Sequence, residues 1–110
     1  MKTDKLSLKK NKASLRKLAR EMYGGEVYEY FPLGQYIVAA PGVCGGRPTF
    51  KYTRLEVSFI LALLAAGKTI EQVVQAYSLS RLTPEAVQEA IRLADQALLR
   101  SAKRRQLAMA

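Results

Sequence analysis

The chain has 110 residues, 49% of them hydrophobic, and a formal charge of +9. That length supports one modest core and excludes a multi-domain assembly, while the charge points to a polyanionic partner: nucleic acid, an anionic membrane surface or an acidic protein. A single cysteine and no histidine exclude an internal disulfide and any Cys–His catalytic or metal arrangement within one chain.

The excess charge is concentrated at the start, where Lys2, Lys5, Lys9, Lys10, Lys12, Arg16, Lys17 and Arg20 face only Asp4. Nothing there has the apolar core of a secretory signal, so a cytoplasmic protein is expected. Over residues 14–23, Leu15, Leu18, Ala19 and Met22 recur at helical spacing, with Lys9, Lys12, Arg16 and Arg20 on another face. This predicts a basic amphipathic helix ended by Gly24 and Gly25. Its stripe reads either as a solvated face or as a set of phosphate contacts. Its apolar face is narrow and lacks tryptophan, which disfavours a membrane-surface role.

The segments VYEYF (27–31) and QYIVA (35–39), separated by Pro32 and Gly34, predict two short strands. After Cys44, Gly45 and Gly46, a period of two sets Arg47, Thr49, Lys51 and Thr53 on one side, expected outward, and Pro48, Phe50 and Tyr52 on the other, expected inward. The glycine pair lacks the lysine and hydroxyl ending of a nucleotide-binding loop and reads as a turn.

Three helices are expected next, each behind a threonine. Thr53 with Glu56 and Thr69 with Gln72 have the spacing of capping boxes, and Thr83 precedes a proline suited to the first helical position. The helix at about 54–66 is apolar nearly all round, which implies a central position or a covering second subunit, hence a homodimer. The second carries Ile70, Val73, Val74 and Tyr77 on one face, and the third Val87, Ile91, Ala94 and Leu98.

Taken together the pattern predicts a mainly α fold: a three-helix helix-turn-helix-like bundle preceded by short β-strands and a basic N-terminal helix. In such motifs the helix after the turn lies in the DNA major groove. Here that helix presents Glu85, Gln88, Glu89, Arg92 and Asp95, a polar face that is not basic. Gln88 and Arg92 can reach base edges, and Arg81 and Thr83 can meet phosphate at the helix start. Glu26, Glu29, Glu85 and Glu89 belong to no acid–base motif and read as solvated, so no enzyme and no cofactor are expected.

The run YIVAAPGVCGGRPTFKYTRLEV followed by ILALLAAGKTIEQVVQAYSLSRLTPEAVQEAI resembles the family known as domain of unknown function 433. Gly46, Pro48, Thr53, Arg54, Gly67, Glu71 and Tyr77 stand at the family's motif positions. Tyr52 stands where the family usually has glycine, and Glu56 where it usually has proline. The resemblance spans about residues 36–98. It implies a helix-turn-helix-like domain over 36–110, behind a basic helix and short strand over 1–35. In many members it also implies an antitoxin role akin to VapB-type antitoxins: a DNA-binding autorepressor that neutralises a PIN-like ribonuclease toxin.

The expected function is therefore a DNA-binding antitoxin or regulator, with a protein-interaction module lacking DNA contact as the alternative. The residues expected to meet DNA are Lys9, Lys12, Arg16, Arg20, Arg47, Lys51, Arg54, Arg81, Thr83, Gln88 and Arg92. Arg54 lies at a helix start, which is electrostatically unfavourable for a cation, and so calls for an anion, either an internal carboxylate or a partner's phosphate.

Overall fold

The computed structural model describes residues 17–109. Four strands, β1 (Ala19–Tyr23), β2 (Glu26–Pro32), β3 (Ile37–Ala39) and β4 (Pro48–Phe50), form an antiparallel meander in chain order. Three helices follow: α1 (Val57–Ala65), α2 (Ile70–Ala76) and α3 (Pro84–Met109).

This corrects the expected mainly α fold with its basic N-terminal helix. The described residues combine a four-stranded sheet with three helices, and residues 19–23 are a strand. Gly24 and Gly25 do not end a helix. At φ +62° and +82° they form the two-residue connection of a β-hairpin, for which consecutive positive-φ residues match the twist of the flanking strands. Over so short a window the apolar spacing fits either period, and Met22, on the expected apolar face, is 67% exposed. The hairpin register places Arg20 opposite Glu29 and Glu21 opposite Tyr28.

Buried side chains lie on both faces of the sheet. On one, Ile37 and Phe50 join Val57, Ile60, Val73, Leu82, Val87 and Ala90 in the main core between sheet and helices. On the other, Tyr30, Val38 and Ala40 form a second cluster with Ala19, Tyr28 and Val43. The expected outward and inward sides of the 47–53 segment are therefore revised: Thr49 and Phe50 are both buried, while Tyr52 lies outside at 40% exposure.

Of the three threonine caps, two form. Thr69 and Gln72 close a reciprocal capping box, and the Thr83 hydroxyl accepts from the Ala86 amide at 3.2 Å. Thr53 does not cap α1. Its hydroxyl donates to the Phe50 carbonyl and accepts from the Leu55 amide, so it folds a turn between β4 and the helix. Glu56 takes the N-cap position at φ −74°, a value that proline also adopts, and its carboxylate is engaged by Arg47. On α1, Val57 and Ile60 are buried within the protein's own core, and Phe59 remains 47% exposed. No helix among the described residues is long and apolar enough to cross a membrane.

The sheet is fastened to α3 by one side chain. Glu89, expected to be solvated, is 9% exposed, and its carboxylate accepts from the backbone amides of Gln35 at 2.8 Å and Tyr36 at 2.7 Å. A side chain at Gly34 would push this carboxylate off its two amides: a Cβ there would lie 2.6 Å from it. Hydrogen bonds to a charged group contribute about 1.5–3 kcal/mol each. Replacing Glu89 by Gln, which loses the charge and turns a donor toward an amide, is expected to lower unfolding free energy by about 2 kcal/mol in urea titrations. Gly34→Ala is expected to destabilise the wild type and to cost measurably less in a Glu89→Ala background. Additive effects would show that the two residues do not share this contact.

Candidate nucleic-acid interface

Where the sheet meets the α2–α3 connection, the surface opens into a cleft of about 770 Å³. One wall comes from the turn after β4 (Lys51, Tyr52, Thr53, Arg54), with Tyr23 at the hairpin end. The other comes from Leu79, Ser80, Arg81 and Thr83, ahead of and capping α3. Gln35 and Tyr36, the residues whose amides Glu89 holds, also line it.

The basic residues at this surface are in different electrostatic states. Arg20 is paired with Glu29 across the hairpin. Arg47 meets Glu56 through two nitrogens at 2.8 and 3.2 Å, and that guanidinium is the main reason the Glu56 carboxyl titrates below its ordinary value. Lys51 lies 3.3 Å from Glu21, with its ammonium 4.8 Å from the centre of the Tyr30 ring and 4.9 Å from that of Tyr52. The lysine is held charged well above its ordinary pKa, by Tyr30 first, with Tyr52 and Glu21 adding.

Arg54 and Arg81 differ. Both are exposed, both line the cleft, and neither is among the ion pairs of the described residues. The Arg54 backbone is fixed through its carbonyl, which accepts from the Cys44 thiol at 3.3 Å. Arg81 is set by a left-handed turn at φ +57° that lets the 3₁₀ turn Ser78–Ser80 run into α3. Two guanidiniums in one concavity, with no carboxylate of the described residues paired to them, make a site for an anion with oxygens at more than one point.

Gln88 and Arg92 are exposed on α3, at a spacing that puts them on one face with Glu85. Lys9, Lys12 and Arg16 lie outside the described residues. Beyond Leu93 every described residue of α3 is exposed, and this stretch bears Arg100, Lys103, Arg104 and Arg105. Those four cations were missed by the sequence reading, although the absence of any acidic residue after Asp95 marks them.

An aromatic cluster, which no local pattern in the sequence marks, lies beside the cleft. The rings of Tyr23 and Tyr52 stack with centroids 4.4 Å apart and planes 12° from parallel, and Tyr28 tilts against both. Tyr52 sits at φ +68°, where a side chain costs about 1–2 kcal/mol. Three contacts offset that strain: the stack on Tyr23, a 3.0 Å hydrogen bond from the Tyr52 amide to the Tyr28 hydroxyl, and a hydrogen bond from the Tyr52 hydroxyl to Glu21. Glu21 also accepts from the Tyr30 hydroxyl.

The family model described as Protein of unknown function (DUF433) matches residues 37–94. Searches of curated proteins and of solved structures return no match. The β1–β2 hairpin, with Glu21, Tyr23, Tyr28 and Tyr30, lies outside the matched segment.

Glu21 gives this region a pH dependence. Hydrogen bonds from Tyr30 first, then Tyr52, with Lys51 adding, hold its carboxyl below the ordinary value of 4.5. A depressed folded-state pKa contributes stability above the unfolded value and loses it as pH falls through the folded one. Glu21→Gln is therefore expected to be less stable than wild type at neutral pH and to lose less on acidification to about pH 3. Urea midpoints at both values check this; parallel pH profiles for the two proteins would refute the role of Glu21.

Proposed function

The chain belongs to the DUF433 family, and from that membership and its cation-lined cleft we propose that it is a cytoplasmic DNA-binding regulator of the antitoxin type, working beside a PIN-like ribonuclease as its neutralising partner. The observation that carries the reading is the pair Arg54 and Arg81, two exposed guanidiniums without a carboxylate partner among the described residues, in one cleft beside the capped start of α3. Phosphate oxygens supply a counter-charge to these groups, and Thr83 and Ser80 add hydroxyls at the same edge.

Gln88 and Arg92, on the outer face of α3, are the groups assigned to base edges. Arg100, Lys103, Arg104 and Arg105 extend the positive surface along the helix. Arg20, Arg47 and Lys51 already have carboxylate partners and contribute less to phosphate binding. Exposed Phe59 on α1, with Leu98, Leu99, Leu107 and Met109 on α3, offers apolar surface for the ribonuclease or for a second copy.

Gel-shift titrations on the DNA upstream of the protein's own gene test the proposal. Affinity is expected to fall steeply with salt, by about 0.9 in the log–log slope for each phosphate contacted. The double variant Arg54→Gln, Arg81→Asn is expected to reduce that slope by about 2, with asparagine chosen because it tolerates the left-handed backbone. No complex at about 50 mM salt, or binding indifferent to salt, would contradict the proposal.

A further inference from the structure

The two arginines, one on each wall, account for the positive charge of the cleft. They leave unexplained why tyrosine rings line it as well. Tyr23 and Tyr52 are 47% and 40% exposed although each already has one ring face against the other. Tyr52 reaches this position from a left-handed backbone that disfavours any side chain. A hairpin end needs no such arrangement, and exposed aromatic surface kept at a local cost, beside cations with no ion pair among the described residues, has the composition of a site for a flat anionic ligand.

We propose that this cleft binds an unpaired nucleotide within a single strand of nucleic acid, its base stacked on the Tyr23–Tyr52 pair and its flanking phosphates held by Arg54 and Arg81. The inference rests on the nucleic-acid reading of the cleft above and narrows it. In a duplex the base faces are covered by their neighbours, so the tyrosine rings have nothing to stack on. At about 770 Å³ the cleft has the size of a pocket for a small ligand, within the usual range of about 300–1,000 Å³, which is room for an unstacked base as well as its phosphates. Base-on-aromatic stacking tolerates any sequence, because every base has a π-face, and the guanidiniums track the backbone beside it.

The chemistry is shared by DNA and RNA, and the test separates them. Fluorescence anisotropy of labelled oligodeoxyuridylate and oligouridylate of about ten nucleotides, which differ only in the 2′-hydroxyl, gives the affinity of the 110-residue chain for each, and the tighter one identifies the sugar. Tyr23→Ala is expected to weaken single-strand binding about tenfold or more. Tyr23→Phe, which keeps the ring, is expected to bind as wild type. Arg54→Gln with Arg81→Asn is expected to reduce the salt slope by about 1.4, the single-strand value for two phosphates.

The chain has no tryptophan, so tyrosine emission is directly readable and is expected to be quenched by unlabelled oligonucleotide. That readout remains decisive if the alanine variant unfolds. Single-strand binding unaffected by a folded Tyr23→Ala, or binding without quenching, would overturn the inference. Duplex binding with no single-strand binding would overturn it while leaving the regulator proposal intact. Single-strand binding without duplex binding would support it and remove that proposal; binding of neither would remove both.

Discussion

The backbone amides of Gln35 and Tyr36 both donate to the carboxylate of Glu89, and this contact determines how the two halves of the protein face one another. It is charge-assisted, largely withdrawn from water and made between residues far apart in the chain, so it ties the β2–β3 turn to α3 at one defined position. The same two residues line the cleft. Its geometry thus depends on a carboxylate of α3 three residues beyond the cleft-lining Ala86, and Gly34 is the space that carboxylate occupies.

A second polar centre sets the other wall. Glu21 gathers the Tyr30 and Tyr52 hydroxyls and the Lys51 ammonium, joining the hairpin to the turn after β4. Its effect on the surface is selective. Lys51 is satisfied internally, as Arg47 is by Glu56, and the cations left for an outside partner at the cleft are Arg54 and Arg81. Net charge alone treats these four residues alike; pairing with carboxylates separates them.

Local signals in the sequence were legible where they are satisfied locally. The Thr69–Gln72 box, the Thr83 cap and the three helical segments are each specified within a few residues. Segments whose outcome depends on distant partners read less well. Residues 14–23 have spacing compatible with a helix, yet residues 19–23 pair with β2 because the glycine pair turns the chain back. Thr53 and Glu56 have capping-box spacing, but Arg47 competes for the carboxylate from across the loop. Glu89 and Glu85, four apart on α3, look equivalent in sequence, and only the β2–β3 turn makes one of them a buried acceptor. The tyrosine cluster was illegible for the same reason, since Tyr23, Tyr28 and Tyr52 converge only through the sheet.

The central claim is that the cleft between the hairpin and the α2–α3 connection is where nucleic acid is held. Its most direct test is a titration of isotope-labelled protein with oligonucleotide, single-stranded and duplex, followed by amide and arginine side-chain NMR shifts. The account expects the largest changes at Arg54, Arg81, Thr83 and the Tyr23 amide, with Arg47 and its partner Glu56 little affected. Changes confined to the exposed surface around Phe59, or to the far end of α3, with the cleft unperturbed, would contradict it.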